Sequence, residues 1–125
     1  MMPILLIALG GAVGSVARYA TGTLLLAPTE KTLFPWGTLA VNLLGCLLIG
    51  YINGLLDDRL IRPELRFLLV IGFLGGYTTF SSFGWETAAL LRENQYGRAT
   101  AYVLANNVVG MLLVVLGYGL SRLHR

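Results

Sequence analysis

Four apolar stretches, each long enough to cross a lipid hydrocarbon core, alternate with short polar connections along this chain. The first covers residues 4–26 and is broken only by small residues and Arg18. It exceeds the apolar core of a signal peptide and lacks an early basic region, so it reads as a retained span. The polar turn AlaProThrGluLysThr at 27–32 follows. The second stretch, residues 34–56, carries Pro35 near its first helical turn, where a missing amide donor is tolerated, and ends at the charged residues 57–64. The third, residues 65–91, is longer than a straight span requires, and the fourth, residues 99–120, comes after the polar turn at 92–98. The pattern predicts a single all-α domain over residues 1–125: four transmembrane helices with both termini on one side of a membrane.

The third stretch contains an interruption. Residues 72–85, GFLGGYTTFSSFGW, put paired glycines, two threonines and two serines into a segment that otherwise looks lipid-embedded. Backbone groups released from a helix at bilayer depth have no lipid partner, so such a break persists only where protein or water satisfies them. Breaks of this kind mark ion or substrate sites. Two part-helices joined at residues 75–79, in mid-membrane, are expected.

Composition narrows the function classes. Of 125 residues 56% are hydrophobic and 12% charged, with a mean hydropathy of +0.74, whereas soluble domains carry about one charged residue in four. Four spans consume about 80 residues, which leaves no room for a soluble domain or a soluble partner's docking module. Cys46, the only cysteine, lies in an apolar run and reads as packing; His124, the only histidine, reads as a solvated tail residue. No nucleophile with a base and an orienting partner, no carboxylate pair within the spans, no phosphate loop and no nucleic-acid-binding basic stretch is present. The net charge of +3 suits loop arginines beside anionic lipid.

Orientation follows from basic residues flanking the spans. Arg59, Arg62, Arg66, Arg122 and Arg125 stand on one side, and Lys31, Arg92 and Arg98 on the other, joined by Arg18 if it reaches that way. So weak a bias permits insertion both ways up, and with it an antiparallel homodimer; a fixed topology with cytoplasmic termini is the alternative. Gly10 and Gly14, Gly50 and Gly54, and Gly72 and Gly76 have the spacing that lets helix backbones approach closely, between subunits or within one chain.

Several polar side chains fall inside the spans. Thr38, Asn42 and Gly45 share one face of the second helix, and Tyr102, Asn106 and Gly110 one face of the fourth, with Asn107 a step around. The Asn42 carboxamide offers two uncharged donors, which suits an anion that must shed water and still leave quickly; a bond to a neighbouring helix is the other reading. Phe80 and Phe83 lie on one helical face and can turn positive ring edges toward an anion, or simply pack. Ser81 and Ser82 beside them either meet a passing ion or bond back to the preceding turn. Tyr102 sits where an interfacial aromatic belt would fall. Arg18 inside the first span needs to snorkel or to pair, with Glu86 the candidate partner.

Three segments in this order, GlyGlyAlaValGlySerValAlaArgTyr at 10–19, GlyThrLeuAlaValAsnLeuLeuGly at 37–45 and GlyGlyTyrThrThrPheSerSerPhe at 75–83, resemble the bacterial fluoride channel family often called Fluc or CrcB. The resemblance covers nearly the whole chain. It implies a dual-topology antiparallel homodimer in the bacterial inner membrane, passively conducting fluoride through two pores and so lowering cytoplasmic fluoride. It also implies that Asn42 donates to fluoride, that Phe80 and Phe83 line the path, that Tyr102 is pore-lining and that Arg18 stands near an aqueous vestibule. Carbonyls of Gly75 and Thr78 from both subunits would hold a structural sodium ion. Relatives carry hydroxyl residues along the pore face of the fourth helix where this chain has Asn106 and Gly110, so the donor set of that wall is open. A four-helix, dual-topology multidrug exporter is the alternative, but it needs a carboxylate in the first span, which here carries Arg18. A non-transporting helical subunit of a larger complex is a third class.

Overall fold

The computed structural model describes residues 1–25 and 34–125. The end of the expected first span at residue 26, the turn at 27–32 and Lys31 lie outside the described residues. Every regular element among the described residues is helical. Helix α1 (Met2–Tyr19) continues through a π-helical stretch, Ala20–Leu25. Helix α2 is Trp36–Asp57, with Pro35 immediately ahead of it rather than within it. Helix α3 is π-helical over Arg66–Leu74 and ends in the turn Gly75–Tyr77; α4 is Phe80–Arg92. Helix α5 runs through Tyr96–Leu104, a π-helical segment Ala105–Val109 and Gly110–Ser121, and closes on the 3-10 turn Arg122–His124. By length and composition four helical spans can cross a membrane: Met2–Leu24, Trp36–Asp57, Arg66–Arg92 and Tyr96–His124.

The helical interruption is narrower than the sequence pattern predicts. Gly75 to Tyr77 stay helical, and only Thr78 (φ −83°, ψ 158°) and Thr79 (φ −150°, ψ 118°) are extended. Thr79 caps α4, its hydroxyl accepting the Ser82 N–H at 3.2 Å. The connection after α2 turns at Arg59 and the one after α4 at Asn94, both with positive φ. At each, the following N–H reaches back five positions, from Leu60 to the Leu55 carbonyl and from Gln95 to the Leu90 carbonyl, which closes the helix end.

Two glycine-lined pairs of parallel helices make up the bundle. A Cβ at Gly10 or Gly14 of α1 would run into backbone of α3 at Leu68 and Phe73, and one at Gly76 would lie 2.6 Å from the Gly11 carbonyl oxygen. A Cβ at Gly50 of α2 would meet the Val114 carbonyl of α5, and one at Gly117 the Leu47 carbonyl. In lipid nothing hydrophobic drives helices together, and close backbone approach supplies the dispersion contact instead. These glycine pairs are therefore used inside the chain. Outside them the bundle is thinly covered: Leu5, Leu9, Val13 and Val16 on α1 and Met111, Leu112 and Val115 on α5 are exposed.

At the far end the C-terminus is tied to the α2–α3 connection. Asp58 accepts from Arg122 at 3.3 Å and from Arg125 at 2.6 Å. His124 is exposed, as a solvated tail residue would be, and its Nε2 stands 2.9 Å from the Tyr51 hydroxyl.

Candidate functional site

Where α3 stops, the side chain of Asn42 on α2 takes the place of the missing helical turn. Its Oδ1 accepts the Thr79 N–H at 2.9 Å and its Nδ2 donates to the Thr79 carbonyl at 3.1 Å. The carboxamide thus pairs with the extended residue as a neighbouring strand would. Its second N–H goes to Asn106 Oδ1 at 3.0 Å, and Asn106 Nδ2 donates to the Tyr102 carbonyl at 3.0 Å. A polar bridge therefore links α2, the break and α5. It borders a cavity of about 330 Å³ whose walls include Asn42, Asn106, Gly75, Thr78, Phe80 and Phe83.

The two phenylalanine rings are neighbours, 5.4 Å between centroids, but live in different surroundings. Phe80 is 80% exposed, while Phe83 is 9% exposed and packs on Tyr102, 5.3 Å away. Tyr102 is wholly buried, so it is not an interfacial belt residue. Its hydroxyl donates to Glu86 Oε2 at 2.6 Å, and the Thr38 hydroxyl donates to Glu86 Oε1 at 2.7 Å. Thr38 and Tyr102 thus converge on one carboxylate away from the cavity wall. The serine hydroxyls turn toward the break: Thr79 Oγ1 donates to Ser82 Oγ at 3.1 Å and lies 3.4 Å from Ser81 Oγ.

Of the two readings of Arg18, the pairing with Glu86 does not form. Arg18 Nη1 donates to the Thr78 carbonyl at 3.3 Å, because α1 lies against α3 and carries the guanidinium to the break, whereas Glu86 is held by α2 and α5. Gly45 borders the cavity, as its place on the Asn42 face predicts, and Thr78 Cγ2 packs where a Cβ there would stand. Cys46 borders the cavity and stands 3.2 Å from the Cβ position of Gly110. Among the described residues no group of three or more His, Cys, Asp or Glu side chains is placed to hold a metal ion.

The three sequence segments resemble one family, and the family comparison agrees. Residues 5–118 match the family described as CrcB-like protein, Camphor Resistance (CrcB). The chain belongs to this family. It is 45% identical over 124 residues to a protein of Methylobacillus flagellatus, covering 98% of this chain and 97% of that one. To a Solibacter usitatus protein it is 48% identical over 122 residues, 97% and 99% of the two chains. A Helicobacter pylori protein is 41% identical over 118 residues, 92% and 89%. Each of the three carries the name Fluoride-specific ion channel FluC.

Two residues that this CrcB family member places at the centre were not singled out as site residues from sequence. Thr79 is the hub of the break, and its signal was available: a hydroxyl residue directly ahead of a helical run, three before Ser82, is a cap pattern. Glu86 is an ionisable group within the third span, which alone marks a functional candidate.

Proposed function

We propose that this chain is a fluoride-selective passive channel that lowers cytoplasmic fluoride from the plasma membrane of a bacterium, and not an enzyme. The observation that carries this reading is the Asn42 carboxamide: an uncharged double donor beside a helix interruption and a cavity in a membrane-spanning bundle. Fluoride is small and strongly hydrated, so a selective path needs close hydrogen-bond donors, while fixed positive charge would retain the ion too long. Neutral Asn42 meets both demands. Phe80 and Phe83 border the same cavity, and the positive rim of an aromatic ring favours an anion. Asn106 belongs to the same wall, Ser81 and Ser82 add hydroxyls at the break, Thr38 and Tyr102 line the path beyond the cavity at Glu86, and Arg18 attracts anions to a vestibule at the break.

The single four-helix transmembrane domain works as an antiparallel, dual-topology homodimer with two pores. Two features support this. The glycine faces are used within the chain, so the exposed apolar stripes of α1 and α5 remain for lipid or a second copy. The cavity beside the break is walled by one chain's α2, α3, α4 and α5 and open on its remaining side.

A structural sodium ion at the break fits the donor set. Because the Thr79 N–H is taken by Asn42, the Gly75 carbonyl loses the partner that would continue the helix, and the extended Thr78 carbonyl lies beyond the last turn. Such carbonyls at a helix C-terminus carry partial negative charge, and neutral oxygens suit a hard cation. Gly75 and Thr78 would hold it, with Arg18 sharing the Thr78 oxygen. When bound, the ion supplies positive charge at the join between the half-helices.

The test is efflux from liposomes containing the purified protein, with fluoride recorded by electrode and chloride under the same gradient. Rapid fluoride loss without chloride loss is expected. No fluoride loss from folded dimers overturns the reading, and drug-stimulated proton exchange would point to a multidrug exporter instead.

A further inference from the structure

The backbone decides which way both carboxamides at the cavity face. The Thr79 N–H needs an acceptor, so Asn42 presents Oδ1 to it, and Nδ2 then meets the Thr79 carbonyl. Asn106 is oriented in the same manner, since the Tyr102 carbonyl requires its Nδ2. Asn106 Oδ1 is therefore the atom turned to Asn42, at 3.0 Å. A carboxamide nitrogen has two N–H donors, and Asn42 has both engaged. The donor that an anion would use is already covered by an oxygen carrying partial negative charge.

We infer that Asn106 acts at this site through its oxygen, as a built-in competitor of the anion for the second N–H of Asn42. This rests on the fluoride reading above and inverts the role of Asn106 within it. With the pore empty, Asn106 keeps Asn42 satisfied and oriented. An arriving anion must displace Oδ1, so the fraction of molecules with a free donor scales the apparent affinity. A charged acceptor forms the stronger bond, which makes the exchange possible without holding the ion tightly. Asn106 is a positioning residue that sets the fluoride concentration at which the pore half-saturates.

A donor role and a competitor role predict opposite signs. Asn106→Ala removes the competing oxygen and leaves Asn42 with a free N–H. Asn106→Ser does the same while its hydroxyl bonds back to the Tyr102 carbonyl, as serines in helices do. From the net worth of one neutral hydrogen bond, half-saturating fluoride should fall about five-fold in both variants, with faster efflux at low fluoride. The fluoride-dependent rise in melting temperature should move to lower fluoride in parallel, which a merely structural role would not produce. Should the Ala variant not assemble, the Ser variant decides. Unchanged or higher half-saturation in variants of a conducting wild type overturns the competitor role alone; a wild type that releases no fluoride removes the channel reading and this inference together.

Discussion

Asn42→Asp is the sharpest test of the polar bridge. The substitution preserves size and keeps an acceptor toward the Thr79 N–H at 2.9 Å. It also turns the two donor contacts, at 3.1 Å to the Thr79 carbonyl and 3.0 Å to Asn106 Oδ1, into oxygens facing oxygens. Each stranded acceptor costs about 1–3 kcal/mol, so the fold should lose about 2–6 kcal/mol, within reach of the total stability of a typical domain. The added negative charge beside the cavity repels an anion as well. The variant should elute as an assembled species in detergent, melt at a lower temperature and show no fluoride efflux above protein-free liposomes. Wild-type efflux from this variant would remove Asn42 from the conduction path, and an unchanged melting temperature would refute the bridge itself.

Other expectations follow from the packing and the break. Gly117→Ala drives a Cβ into the Leu47 carbonyl, and 2.9 Å from the Tyr51 nitrogen, so it should cost about 1–3 kcal/mol in a detergent melt. Gly119→Ala, with nothing within 4 Å, should leave the melt unchanged or raise it; equal behaviour of the two would refute the glycine-mediated contact of α2 with α5. Tyr102→Phe keeps the buried ring but strips the hydroxyl from Glu86, and should cost about 1–3 kcal/mol. Its effect should be non-additive with Thr38→Val, since both hydroxyls serve one carboxylate; simple additivity in a double-mutant cycle would separate them. Replacing sodium by choline at constant ionic strength should lower the melting temperature of the purified protein and restoring sodium should recover it, whereas a melt indifferent to the cation would leave the Gly75 and Thr78 carbonyls without one.

Much of the site was legible before any coordinates. Asn42, Phe80, Phe83 and Asn106 stand out because polar or aromatic groups at helical spacing in an apolar run demand an account, and the structure does bring these four to one cavity. Their partners were not legible. That Asn42 would pair with the backbone of Thr79 depends on two segments 37 residues apart meeting at the point where one of them leaves helical geometry. The adjacent rings of Phe80 and Phe83 differ, one 80% exposed and the other buried, because Phe83 packs into the cluster around Tyr102. Arg18 and Glu86 attract on charge alone, yet neighbouring helices carry them to different oxygens.

What the chain determines by itself is local: apolar runs of membrane length make four helical spans, and a hydroxyl-rich segment at 78–79 ends one helix and caps the next. Those outcomes depend on hydrophobicity, propensity and capping within a few residues. The tertiary structure decided what these elements do for each other. It paired α1 with α3 and α2 with α5 through glycine faces, and assigned the Asn42 donors to Thr79 and Asn106. It also gathered Thr38 and Tyr102 onto Glu86. Hydrogen-bond partners far apart in sequence are chosen by which backbones can approach closely, and that choice belongs to the whole bundle, because in lipid an unpaired polar group has nowhere else to turn.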